Sequence, residues 1–348
     1  LEKKFGYYDE VRRRATGILQ AVDLSLVHKE TIASCTEELM LSAPRYWLAP
    51  CLVALAAWIN NNKELAEKAI QEGLKRNDEK SSLLFALIGR RANRYNASEQ
   101  WLERYFSMQD PSALERESVV VIDAFANGLF GSDASGSCSK QIKSWIAELS
   151  QKTGFVEEQH KQWKDAILSK LQGVNTDNYP YLQKHSDTWG LLKTCLPEAY
   201  LHQRIGDFFK KIFEGDIKPS NDLKAQVDGL LDNLVMNFDS EELPLRREER
   251  LTYLIIEEQG VRAVAEQRYA HEQKALADNF SFTQLLTNAA MHPETAHSSI
   301  GTQRFAIALS KDWIIDAYED IIATCRQKMP ASIKIKIEGW SGETKDGA

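Results

Sequence analysis

The sequence predicts an all-α chain: a helical-repeat-like N-terminal body (an α-solenoid or bundle), a long C-terminal helical hairpin and a short terminal β-strand. Three observations carry that expectation. Only 9 prolines and 18 glycines punctuate 348 residues, too few for a sandwich or an alternating α/β chain. Leu, Ala, Glu, Lys and Gln, all good helix formers, fill the space between them. Apolar periodicity then supplies two successive helix pairs between Trp47 and Pro111 and a narrow stripe in the charged stretch after Glu241. At 43% hydrophobic content the chain can bury a large core, enough for two subdomains.

The first helix pair reads Ala49 to Ile59, a polar break at Asn60-Asn61-Asn62, then Glu64 to Leu74, ending at Asn77-Asp78. The second runs Ser81 to Ile88, turns between Asn93 and Asn96, and continues from Trp101 to Phe106 before Asp110-Pro111. Asp78 and Pro111 stand about one period of 34 residues apart. This stretch, about residues 47–111, resembles tetratricopeptide repeats. Ala54, Ala66 and Gly73 match the small positions where paired helices touch, and Pro111 matches the terminal proline. It departs from the pattern at Asp78, where the first proline is expected, and at bulky Tyr105 and Phe106 in a helix with no clear small residue. The resemblance implies stacked helical hairpins that bind other proteins.

Val119-Val120-Val121-Ile122 is β-branched, but its charged start at Glu115-Arg116-Glu117 and its run into Ala124-Phe125-Ala126 favour a helix. Residues 131–137 form a glycine-serine loop with no following lysine and no clear preceding strand, so it does not read as a phosphate cradle. Helices are expected from about Lys140 to Gln151 and Glu157 to Leu171, with a subdomain boundary at Val174 to Pro180. Three medium helices follow, Pro180–Cys195, Pro197–Phe213 and Asn221–Asn237, with Pro197 in a first turn and Ser220 or Asn221 as an N-cap.

The charged stretch from Glu241 to about Asp278 carries Leu245, Leu251, Leu254, Ile255, Val261 and Val264 on a narrow stripe, the pattern of a coiled-coil arm interrupted at Gly260. A second long helix from about Ser299 to Met329 is its expected antiparallel partner. Ser332 to Glu338 alternates as a half-buried strand does, and Gly339 to Gly342 reads as a turn. A lone strand lacks a ladder partner, so we expect it to open a following domain. The organisation drawn is a repeat-like domain (1–173), a connecting subdomain (174–243), the hairpin (244–330) and the terminal strand (331–348).

Chemistry is sparsely signalled. Five scattered cysteines, Cys35, Cys51, Cys138, Cys195 and Cys325, show no paired ligand spacing and read as buried thiols of a reducing, cytoplasmic compartment. No nucleophile elbow, phosphate loop or dinucleotide fingerprint occurs. Glu37-Glu38 and Glu241-Glu242 are adjacent pairs whose members point apart on a helix. His292, Glu294 and His297 invite a metal, but the histidines stand five apart across Pro293 rather than four apart on one helix face. We expect a polar loop there, no metal and no cofactor. A net charge of -7 disfavours nucleic acid, and the apolar run from Leu48 to Ile59 is too short to insert in a membrane.

The remaining candidate is Arg90-Arg91-Ala92-Asn93-Arg94 with Arg104, Trp58, Trp101 and Tyr105. Guanidinium forks clamp carboxylates and aromatics supply rigid anchors, so these residues define an expected peptide-binding groove. The competing expectation is that the arginines balance acidic neighbours and the rings fill the core. The function expected is a non-catalytic protein-interaction scaffold from a larger multidomain protein, partnered by another protein or another domain of its own polypeptide, with homo-oligomers forming through the hairpin. The alternative is a helical regulatory or stalk region of a multidomain enzyme.

Overall fold

The computed structural model describes residues 2–19, 35, 37–276 and 278–344. Among them the chain is predominantly helical, with 18 α-helices and one two-stranded antiparallel sheet. In order, α1 is Glu2–Leu19, α2 Glu37–Ser42, α3 Leu48–Ile59, α4 Lys63–Arg76, α5 Asp78–Arg91, α6 Tyr95–Phe106, α7 Arg116–Ala126 and α8 Ser137–Leu149. Next come α9 Phe155–Leu168, α10 Pro180–His185, α11 Trp189–Glu214, α12 Asn221–Met236, α13 Leu243–Glu257 and α14 Arg262–Leu276. The last are α15 Phe282–Met291, α16 Pro293–Ala296, α17 Ile300–Leu309 and α18 Lys311–Lys328, then β1 Lys334–Ile337 and β2 Trp340–Glu343.

Two compact units divide this chain, Leu1–Ile146 with Pro219–Ser281, and Ala147–Lys218 with Phe282–Ala348. Both are discontinuous, so they cut across the segments drawn from sequence. Residues 219–281, expected partly in a connecting subdomain and partly in a hairpin, belong with the N-terminal body.

In the first unit, α3 pairs with α4 and α5 with α6. Helix α3 is apolar nearly all round and buries every residue from Leu48 to Ala57, as expected of a helix enclosed by neighbours. Asn62 caps α4 through Leu65 N–H (3.2 Å) and Asn77 caps α5 through Lys80 N–H (2.9 Å). The two hairpins turn identically. Asn61 and Asn93 both sit at φ 56°, and the next residues, Asn62 and Arg94, each donate 2.8 Å back to Ala57 and Gly89, closing the helix end with a left-handed residue. Close crossing is permitted by small residues: a β-carbon on Gly73 would stand 2.9 Å from Cys51 Sγ, and one on Gly89 3.1 Å from Ser98 Cβ. Helix α12 lays Leu223, Val227, Leu230, Leu231 and Val235 into the core and packs on α1, α5 and α7.

The stretch expected as an arm interrupted at Gly260 breaks at that residue and reverses there. Gln259 and Gly260 take φ 51° and 89°, Gly260 N–H bonds Ile255 O at 2.8 Å, and α13 and α14 fold back on each other as their own hairpin. Arg250–Glu272 (2.8 Å) and Arg268–Glu257 (2.9 Å) cross it.

In the second unit, α9 packs on α15 and α18, and α11 on α17 and α18, around buried Trp163, Ile167, Phe282, Met291 and Ile321. The stretch 299–329 is two helices parted at Ser310. Helix α11 runs through Pro197, where a helix start was expected, because Cys195, Leu201, Ile205 and Ile212 keep one face buried across it. The strand at residues 332–338 has its partner after all: residues expected to be only a turn form β2. The register pairs Lys334 with Glu343 and Ile337 with Trp340, and Gly339 takes the positive φ (82°) at the turn. The pair sits against α10, with Lys336 ion-paired to Asp187 (2.5 Å) and His185 Nδ1 3.2 Å from Lys336 O.

Candidate functional site

The seven residues expected to form one groove are distributed over several environments in the first unit. Arg90, in the last turn of α5, reaches Asp228 of α12 at 2.8 Å, with its side chain only 14% exposed. Beside it Arg91 is exposed and forms no ion pair with any described residue. The two line a cleft of about 520 Å³ shared with Asn93, Tyr95, Lys224, Asp228 and Asp232. Tyr95 is 42% exposed, and its hydroxyl donates to Asn93 Oδ1 at 3.1 Å. Leu129 adds an apolar wall. Cations of α5 thus face a helix that contributes Lys224 and two carboxylates, so the cleft carries both signs of charge.

Arg94 belongs to a different cluster. Its guanidinium lies 5.9 Å over the Trp58 ring, within cation–π range. Phe85 touches both Trp58 (6.5 Å) and Trp101 (5.1 Å), so the two tryptophans flank one buried ring rather than standing free. Trp101 and Arg104 line a smaller cleft of about 370 Å³. There Arg104 grips Asp78 with both ends of its fork, 2.7 and 2.5 Å, and that hydrogen bonding lowers the Asp78 carboxyl below its ordinary value. Arg104 therefore ties α6 to the start of α5.

Tyr105 is a core residue, 2% exposed. Its hydroxyl shares a 2.9 Å hydrogen bond with Ser118, and burial pushes its phenol well above the usual value. It cannot present itself to a partner, a correction that follows from its place on the inner face of α6 next to Phe106.

Sequence reasoning missed Tyr95, Leu129, Lys224, Asp228 and Asp232. Tyr95 was legible as a neighbour of the arginine cluster. The α12 residues carried no signal, since their side chains meet Arg90 only through tertiary packing.

The histidine cluster belongs to the second unit. His292 precedes α16, and His297 ends it with a left-handed backbone (φ 51°). Burial, and then Lys170, lower the His292 pKa. Among the described residues no group of three or more His, Cys, Asp or Glu is arranged to hold a metal ion. The acidic pair Glu241-Glu242 does point two ways. Glu241 accepts from Tyr8 (2.6 Å) and Arg45 (2.9 Å), while Glu242 meets Arg12 at 2.6 and 2.8 Å. No described helix is long and apolar enough to cross a membrane. Comparison with known protein families, curated proteins and solved structures gave no match.

Proposed function

We propose that the chain is a cytoplasmic, non-catalytic scaffold that binds another protein, or another domain of its own polypeptide, through the cleft beside Arg90 and Arg91. The observation that supports this reading is the pairing of exposed Arg91 with the half-exposed Tyr95 ring at the mouth of an open, charged cleft. Arginine and tyrosine are the residue types that anchor interfaces. Arg90, held by Asp228, gives that mouth a fixed wall.

Affinity capture from native-host lysate tests it, with the unaltered protein beside a variant carrying Arg91→Glu and Tyr95→Ala. Both side chains are exposed, so helical content is expected to stay unchanged. A partner recovered by the first bait, and bound at least tenfold more weakly by the purified variant, supports the cleft as the docking surface. Recovery of the same proteins at the same yield by both baits removes the cleft from consideration.

A further inference from the structure

The second unit contains a different kind of concavity. Where α11 passes α17 and α18, a cleft of about 510 Å³ opens, a size that suits a small organic ligand. Phe209 and Phe213 of α11 face Ile307 of α17 and Ile314 and Ile315 of α18 across it. Phe213 is 56% and Ile315 42% exposed, so large apolar side chains converge on water instead of on each other. Exposed apolar surface gathered in a concavity is one form a ligand-binding groove takes.

Gly206 also lines the cleft. It lies inside the 26-residue helix α11, where glycine is unfavourable relative to alanine. A β-carbon there would meet nothing within 4 Å, so no packed neighbour explains its small size. The cleft is therefore open above Gly206.

Its polar lining residues are His202, Lys311 and Tyr318. His202 and Tyr318, hydrogen-bonded to each other through His202 Nδ1, both line the cleft. Lys311 is the first residue of α18, seven positions before Tyr318, about 10 Å along the helix. It is exposed and forms no ion pair with a described residue. A cation at a helix N-terminus also meets the positive end of the helix dipole, so an anion beside it would be welcomed by both. Asp312 follows, but it is not among the residues that line the cleft.

We propose that this cleft binds a single-chain amphiphile with an anionic head, a medium-chain alkyl carboxylate in kind. The chain would lie over Gly206, Phe209 and Ile314, and the carboxylate beside Lys311. The proposal concerns residues of the second unit alone and does not rest on the docking function proposed above.

Isothermal titration of the full chain with octanoate, decanoate and dodecanoate, each below its micellar concentration, tests the proposal, with 1-decanol as the uncharged probe. The expected result is one saturable site whose affinity rises about fourfold per added methylene until the cleft is filled. Lys311→Glu is expected to weaken decanoate at least tenfold while leaving 1-decanol within twofold. Gly206→Leu, which projects into open space, is expected to abolish both without lowering the melting temperature. Absence of saturable decanoate binding to the unaltered protein overturns the proposal, as does binding that Gly206→Leu leaves intact. A concentration-dependent dimer abolished by Gly206→Leu, with no decanoate bound, would overturn it too and assign the cleft to a second copy of the chain. Should Gly206→Leu fail to fold, the Lys311→Glu comparison decides, because that side chain is exposed.

Discussion

At the scale of single residues the first unit is held by a buried charge cluster. Arg12 is 4% exposed and Glu242 0%, and they meet through the two terminal guanidinium nitrogens, with Asp9 taking a further 2.5 Å contact. The rings of Tyr46 and Phe238 cover Arg12 at 5.7 and 5.4 Å. Removing Glu242 leaves the buried Arg12 with Asp9 as its one carboxylate partner among the described residues, so Glu242→Ala is expected to destabilise the protein by about 3 kcal/mol, measured by urea unfolding at pH 7. Cys51 gives a pH prediction. It is fully buried, and burial pushes its thiol up to about 12. An unfolded thiol ionises near about 8.5, so the unfolded chain releases this proton first. The stability contribution is complete below that pH and is lost as pH rises toward about 12. Unfolding midpoints taken from pH 8 to 10 should fall less steeply for Cys51→Ala than for the unaltered protein, and native Cys51 should resist iodoacetamide at pH 8. Equal slopes would mean that the thiol is already solvated.

At the scale of elements, the two helix pairs between Trp47 and Pro111 were legible because apolar periodicity and asparagine turns are local signals. Gly73 was legible as a small crossing residue. Its counterpart was not, since the second crossing places Gly89 of α5 against Ser98 of α6, and the small residue sits on the first helix of the pair. A β-carbon on Gly89 would fall within 3.2 Å of Ser98 backbone atoms, which cannot swing aside. Gly89→Val is therefore expected to destabilise by about 1–3 kcal/mol through overpacking, read from the urea midpoint. An unchanged midpoint would show that α6 can slide. The turn after α13 makes a second case. Gly260 holds φ 89°, so Gly260→Ala is expected to cost about 1–2 kcal/mol, whereas a continuous arm through this position would be strengthened by the same change. The apolar stripe was visible in the sequence. Its reversal was not, because glycine inside a helical pattern is compatible with a kink, a break or a turn.

At the scale of the whole molecule, each unit is assembled from two separated stretches of chain. Residues 1–173 alone would lack α12, and with it five buried aliphatic side chains that complete the first unit. That fragment is expected to lose near-ultraviolet circular dichroism and to bind a hydrophobic dye, while 1–146 co-expressed with 219–281 is expected to recover a sharp melting transition. A cooperative melt from 1–173 by itself would contradict the discontinuous unit. The sequence by itself determined the helical class, the turns at Asn61 and Asn93 and the alternating strand at residues 334–337, because propensity, caps and periodicity act over a few neighbouring residues. Tertiary structure decided the rest. It placed Asp228 against Arg90, put Tyr105 into the core while Tyr95 stayed at the surface, and aligned Gly206 with Lys311 along one cleft. Those outcomes depend on which helix faces pack together, and such pairing joins residues far apart in the chain that no local pattern can connect.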